Sequence, residues 1–144
     1  MIYLDSCALI KLVREEGESA ALRAWLDERA SVPMFTSELA DAEMMRIVRR
    51  HNYTDQGVLV DADALAEELA YAAEILESVE QVVVDRGLMM RAGALEAPML
   101  RTLDGIHLAS AMVLGQQAVE FVTYDKKLAA TAQDMGLRIA MPSA

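Results

Sequence analysis

The sequence is poor in the residues that build covalent or soft-metal frameworks: its 144 residues include one cysteine and two histidines. A single thiol excludes an internal disulfide, and without CxxC or clustered Cys/His spacing there is no zinc site to read. A reducing cytoplasm suits such a chain. No apolar run approaches the roughly 18 residues of a membrane span, and the short apolar start has no basic region before it, so no membrane partner and no export are expected. Sequence repeats and low-complexity linkers are missing too. Basic charge is scarce, with 13 Lys and Arg against 23 Asp and Glu and a formal net charge of −10. Taken alone, that deficit speaks against a nucleic-acid partner, because phosphates are normally met by Lys and Arg. It does not exclude one where carboxylates are neutralised by a bound divalent cation.

What is present is apolar and patterned. A composition of 54% hydrophobic and 25% charged residues excludes disorder, and the length suits a single domain, residues 1–144, around one core. The chain is organised around its start. Ile2 to Leu4 suit a short strand buried on both faces, Asp5 follows, and Ala8, Leu9, Leu12 and Val13 then recur as one face of a helix from Ser6 to Glu15. Gly17 closes that helix, and Leu22, Trp25 and Leu26 form the apolar stripe of a second, where Trp25 suits core packing. Val32 to Thr36 reads as a strand and Glu38 to His51 as a helix with acids early and Arg46, Arg49, Arg50 and His51 late, as the macrodipole favours. Residues 51–60 read as a connection with one helical turn. Asp61 then caps a long amphipathic helix running to Val79.

Gln81 to Asp85 suits a third strand, Arg86 to Glu96 a helix, and Thr102 to Gly115 another, with Asp104 in its first turn. Val119 to Tyr124 reads as a fourth strand, followed by Asp125, a helix ending at Gly136, and a last strand from Leu137 to Met141. Strands and helices alternate. The expected class is α/β, a central and mainly parallel sheet covered by helices on both faces in three layers.

Asp5, Asp104 and Asp125 each open a helix, so each can be explained as a cap, and Glu43 can be explained by a pair with Arg46 one turn on. Jointly they read differently. In a parallel sheet Asp5 and Asp125 leave their strands at the same edge, where α/β proteins bind ligands, and short turns bring Asp104 and the Glu43 helix there too. Two like charges about 4 Å apart repel by about 4 kcal/mol at an effective dielectric of 20. Protonation, an ion pair or a hard cation bound by carboxylate oxygens would relieve that repulsion. With no cysteine or histidine cluster, Mg²⁺ or Mn²⁺ is the candidate, and such an ion suits phosphodiester hydrolysis.

The stretches YLDSCALIKL, TSELADAEMMRIVRR, TLDGIHLASAM and FVTYDKKLAATAQDMGL resemble, in order and spacing, the motifs of PIN-domain ribonucleases, and among them the VapC-type toxins of toxin–antitoxin pairs. The resemblance spans nearly the whole chain. It implies the PIN fold, Mg²⁺- or Mn²⁺-dependent cleavage of RNA (tRNA, rRNA or mRNA), growth arrest, a cognate VapB-like antitoxin and a homodimer. By position it implies that Asp5 and Asp104 hold the main metal, that Glu43 shares that duty or orients the attacking water, and that Asp125 binds directly or through water. Ser6 and Thr123 match hydroxyl positions that support the acids. Cys7 stands where relatives often have serine, and it reads as a small buried hydrophobe.

His107 lies one turn after Asp104 and reads as a packed core histidine, although it could reach a carboxylate or the substrate. Lys11, Arg14, Arg46 and Lys126 are the candidates to surround the acids and hold phosphates. Met44, Met45, Ile47 and Val48 exceed what one helix face needs, which leaves them to a buried helix, an antitoxin helix or a second copy of the chain. Two other activities compete with this reading. One is a non-catalytic PIN-like binding module, and the other is a DNA-directed PIN-like nuclease.

Overall fold

A computed structural model describes residues 1–144. Five strands form one sheet in the order β3-β2-β1-β4-β5, and every neighbouring pair is parallel. The elements run β1 (Ile2–Leu4), α1 (Ser6–Val13), α2 (Ser19–Asp27), β2 (Met34–Ser37), α3 (Leu39–His51), α4 (Ala62–Glu77), β3 (Glu80–Val82), α5 (Arg86–Gly93), α6 (Thr102–Val113), β4 (Glu120–Val122), α7 (Lys126–Asp134) and β5 (Arg138–Ala140). The chain builds outward from β1 through β2 to β3, then returns to the other side of β1 for β4 and β5. That reversal places a crevice at the carboxyl ends of β1 and β4, the position where α/β sheets bind ligands.

The period of the central strand divides the core. Ile2 and Leu4 point into a cluster with Leu9, Leu22, Met44, Val48, Leu65 and Leu76, built from α1 to α4. Tyr3, between them, points the other way, into a cluster with Leu108, Phe121, Leu128 and Leu137. Tyr3 and Phe121 are register partners on adjacent strands, and their rings stack at 5.3 Å with planes 7° apart. A strand buried on both faces explains the unbroken apolar run Ile-Tyr-Leu. The outcome is a three-layer α/β/α fold, and Trp25 packs against the first of its two clusters. No helix is long and apolar enough to cross a membrane.

Several expectations shift in detail. α1 ends at Val13 rather than Glu15, and β3 ends at Val82 because Asp85 belongs to the next helix, accepting the Leu88 N–H at 2.8 Å. α5 stops at Gly93, short of Glu96. The segment after α3 holds no helical turn. It folds back as a small antiparallel bridge between Tyr53 and Leu59, and Gly57 takes the positive φ of 77° that its turn needs. The apolar surplus of α3 is used internally: Met44 and Val48 are fully buried, and Met45 and Ile47 pack against the same cluster.

Candidate active site

The register of β1 against β4 pairs Leu4 with Val122, so Asp5 and Thr123 leave the sheet side by side. The backbone tightens this edge, since the Asp5 N–H donates to Val122 O at 3.2 Å. Asp5 Oδ1 accepts the Ala8 N–H at 2.8 Å and so caps α1. Asp125 does the same for α7, its Oδ1 accepting from the Lys127 and Leu128 N–H groups at 2.9 and 3.0 Å. The capping explanation is therefore correct for both aspartates, and it accounts for one oxygen of each. The Asp125 N–H donates to Thr123 Oγ1 at 3.1 Å.

Glu43 does not pair with Arg46. Its Oε2 accepts from Ser6 Oγ at 3.2 Å, and its Oε1 lies 2.6 Å from His107 Nε2. His107 is buried, as a packed histidine should be, yet it is also part of the site, because its other nitrogen meets the Tyr3 hydroxyl at 2.7 Å. An ionised carboxylate can only accept, and against one Nε2 is the donor. In the neutral ring, Nδ1 then accepts from the Tyr3 O–H. Asp104 caps nothing. Its Oδ2 accepts from Arg101 Nε at 2.9 Å, and Arg101 Nη2 reaches Asp125 Oδ2 at 3.3 Å.

The charges of these acids are felt at Asp5 and at Cys7 beside it. Desolvation pushes Asp5 up to about 6; the Thr123 hydroxyl, His107 and the Ala8 N–H oppose that shift, and the charge of Glu43 adds to it. The Cys7 thiol is pushed up to about 12, first by desolvation and then by the charges of Asp5, Asp125, Asp104 and Glu43 in turn. All four carboxylates thus bear on one sulfur atom. Cys7 itself is exposed at the first turn of α1, not the buried hydrophobe expected. Burial holds the Tyr3 hydroxyl well above the usual tyrosine range, with the charges of Asp5 and Glu43 contributing, so it remains a donor.

The predicted basic residues divide. Lys126 lines a cavity of about 740 Å³ with Arg101, Asp104, Asp125 and Lys127. Arg46 lies further along α3, lining a second cavity with Arg49, Arg50 and Tyr53. Lys11 and Arg14 are engaged in ion pairs, Lys11 with Glu16 and Glu18 at 2.6 and 2.8 Å and Arg14 with Glu68 at 2.7 Å. Sequence reasoning missed Arg101 and Tyr3. An arginine next to a helix start that should attract acids was the available signal for Arg101; Tyr3 offered only its place in a buried strand.

The donor set suits a hard divalent cation, being mainly carboxylate and hydroxyl oxygens, with the one imidazole engaged by Tyr3 and Glu43 and the one thiol held protonated. No three acids are drawn together at the spacing of a closed cage, because Glu43 is engaged by Ser6 and His107 and Arg101 stands between Asp104 and Asp125.

Comparison with known proteins agrees with this architecture. Residues 2–134 match the family model of the PIN domain. The chain is 35% identical over 144 residues to ribonuclease VapC35 of Mycobacterium tuberculosis, covering 99% of this chain and 97% of the relative. It is 37% identical over 142 residues to ribonuclease VapC46 of the same organism, covering 99% and 98%. Among solved structures, VapBC2 from Rickettsia felis, bound to a DNA fragment from its promoter, superposes with a TM-score of 0.68 at 13% identity, covering 97% of this chain and 98% of the other. FitAcB from Neisseria gonorrhoeae gives 0.67 at 17%, covering 99% and 98%. At those identities the two structures speak to the fold.

Proposed function

The chain belongs to the PIN-domain family and is related to the VapC ribonuclease toxins, and from that premise we propose that it is a Mg²⁺- or Mn²⁺-dependent endoribonuclease, the toxin of a VapBC-type pair. The observation that carries the reading is the placement of Asp5 and Asp125 beyond the carboxyl ends of the paired strands β1 and β4, with Arg101 joining Asp104 to Asp125 and Ser6, next to Asp5, holding Glu43. One exposed arginine, one imidazole and the neighbouring hydroxyls offset only part of the repulsion among four such acids. A hard cation is the ligand whose chemistry relieves it.

Asp5 and Asp104 would hold the ion, with Asp125 contributing directly or through water. When bound, Mg²⁺ or Mn²⁺ supplies an acidified water and a counter-charge for the phosphate. Glu43 stands where it can share the ion or take the proton of the attacking water, and its two oxygens are fixed by Ser6 and by His107. Thr123 orients the edge by holding the Asp125 backbone. Water attacks phosphorus, the P–O bond to the departing nucleotide breaks, and the leaving oxygen takes up a proton.

The substrate is RNA, approached by Lys126 at the mouth and by Arg46 one turn beyond Glu43. A VapB-like antitoxin and a second copy of the chain are the proposed partners, the cytoplasm the compartment, and residues 1–144 one domain. The test is cleavage of a mixed cellular RNA pool with Mg²⁺ or Mn²⁺, beside chelator and Asp5→Asn controls. Discrete cuts that vanish in both controls are expected. Cuts that survive Asp5→Asn would overturn the site. An inert protein that still binds a partner would favour the binding-module reading, and cutting confined to DNA the flap-type one.

A further inference from the structure

Arg101 breaks the local rule of its position. It is the residue that precedes α6, with φ −72° and ψ 153°, and its side chain caps none of the backbone N–H groups of the helix. That position favours Ser, Thr, Asp or Asn, and the partial positive charge of the helix start disfavours a cation. Residues that break such rules are retained for what they do in three dimensions. Here the guanidinium reaches over the first turn to Asp104 Oδ2 at 2.9 Å and across to Asp125 Oδ2 at 3.3 Å. Asp104 lies in the first turn of α6 and Asp125 caps α7, so the bridge ties two elements together.

We propose that Arg101 is a two-position residue: it serves as the internal counter-ion of Asp104 and Asp125 until a divalent cation arrives, and then turns outward to hold a phosphate of the RNA strand. The inference rests on the cation-site reading above. Its side chain is 76% exposed, so the bridge is made in water and held loosely. A divalent ion on the same two aspartates offers them more charge than one guanidinium can, and repels it. Arg101 also has somewhere to go. It lines both the acidic cavity of about 740 Å³, with Lys126 and Lys127, and a neighbouring cavity of about 320 Å³ lined by Leu100, Thr102 and Ile106. In the first of these it would join two lysines that form no ion pair, completing a basic rim beside the acids. The planar fork of arginine suits phosphate oxygens in the same two-pronged way as carboxylates.

The test compares the intact protein with Arg101→Gln, Arg101→Lys and Asp104→Asn. Calorimetric titration of metal-free protein with Mn²⁺ reads the first position. Anisotropy of a labelled single-stranded RNA, with chelator and with Ca²⁺, reads the second. Arg101→Gln should bind Mn²⁺ several-fold more tightly than wild type. With Ca²⁺ present it should bind RNA several-fold more weakly, with the salt slope reduced by about one. Arg101→Lys should fall between, keeping the charge but losing the fork. Unchanged or weaker Mn²⁺ binding by Arg101→Gln, or unchanged RNA binding, would overturn the proposal while Asp104→Asn still loses Mn²⁺. Mn²⁺ binding that Asp104→Asn leaves intact would instead remove the cation site on which the proposal rests.

Discussion

His107 Nε2 lies 2.6 Å from Glu43 Oε1, and through this contact the interior of the protein positions one carboxylate of its acidic mouth. The connection runs from the Tyr3 hydroxyl through both ring nitrogens to Glu43, and from there to Ser6. With an ionised carboxylate and a neutral ring, Nε2 donates to Glu43 and Nδ1 accepts from the buried phenol. His107→Ala should cost about 1–3 kcal/mol by stranding the buried Tyr3 hydroxyl, and should lower kcat more than it raises KM by freeing Glu43. Urea unfolding and a double-mutant cycle with Tyr3→Phe check this. A coupling energy near zero would mean that the ring merely fills space.

Cys7 reports on the mouth without taking part in the chemistry. Its thiol is exposed, yet desolvation and four carboxylates push it up to about 12 from the usual 9.0. The thiolate is the reactive form, but a more basic thiolate is also the better nucleophile, so attack on a disulfide reagent at pH 8 should be slower than in the unfolded chain by roughly 10- to 100-fold. Saturating Mn²⁺ would cancel part of the surrounding charge and should speed the reaction. Stopped-flow labelling with a chromogenic disulfide reads both effects. Folded and unfolded chains reacting alike would mean that the acids do not converge on Cys7.

Along α3, Arg46 and Arg50 follow Glu43 by three and seven residues, so they lie on the same helix face about 4.5 and 10.5 Å further on at 1.5 Å per residue. Neither forms an ion pair, and Tyr53 beyond them is held by its bridge to Leu59 and partly exposed. A single strand leaving the acids can follow these cations and stack a base on Tyr53. Arg46→Ala and Arg50→Ala should each weaken RNA binding and reduce its salt slope by about one, and Tyr53→Ala should weaken it by about 1–3 kcal/mol with no change in slope. Filter binding between low and moderate salt measures this; slopes equal to wild type would move the strand elsewhere.

The features readable in the sequence were those set by local pattern. An apolar run ending in Asp5, another ending ahead of Asp125, and helical spacing after each give the βα units, and parallel pairing then puts both acids at one edge. What the sequence concealed depends on contacts between distant residues. His107 and Glu43 are 64 positions apart, and Arg101 and Asp125 are 24 apart. Helical spacing ties His107 to Asp104 but carries no information that a third helix brings Glu43 against the ring. The ion pairs of Lys11 and Arg14 were hidden for the same reason, since proximity to Asp5 in sequence does not reveal that Glu16, Glu18 and Glu68 hold them. Cys7 was misread because its place on the helix face depends on how α1 docks, and α1 turns it to solvent.

Asp5 gives the fold a pH dependence of unusual sign. Most native carboxylates are held below their unfolded values and stabilise the fold as pH rises. Asp5 is held above its own, at about 6 against about 3.9 unfolded. Below about pH 4 it is neutral in both states and contributes nothing. Between about pH 4 and 6 the unfolded chain releases the proton first, and stability falls. Above that range the loss is complete, on the order of 3 kcal/mol. Asp5→Asn keeps the cap on Ala8, because asparagine also caps well, and removes the charge. The variant should therefore be more stable than the metal-free wild type at pH 8, by up to that amount, and nearly equal to it at pH 4. Saturating Mn²⁺ should close the gap at pH 8 by stabilising only the wild type, since the ion needs the charge that the fold resists. Chemical denaturation at both pH values, with and without Mn²⁺, decides the matter. An equal gain at pH 4 and pH 8 would mean that the variant repacks the site and that the buried charge is not what the cation would relieve.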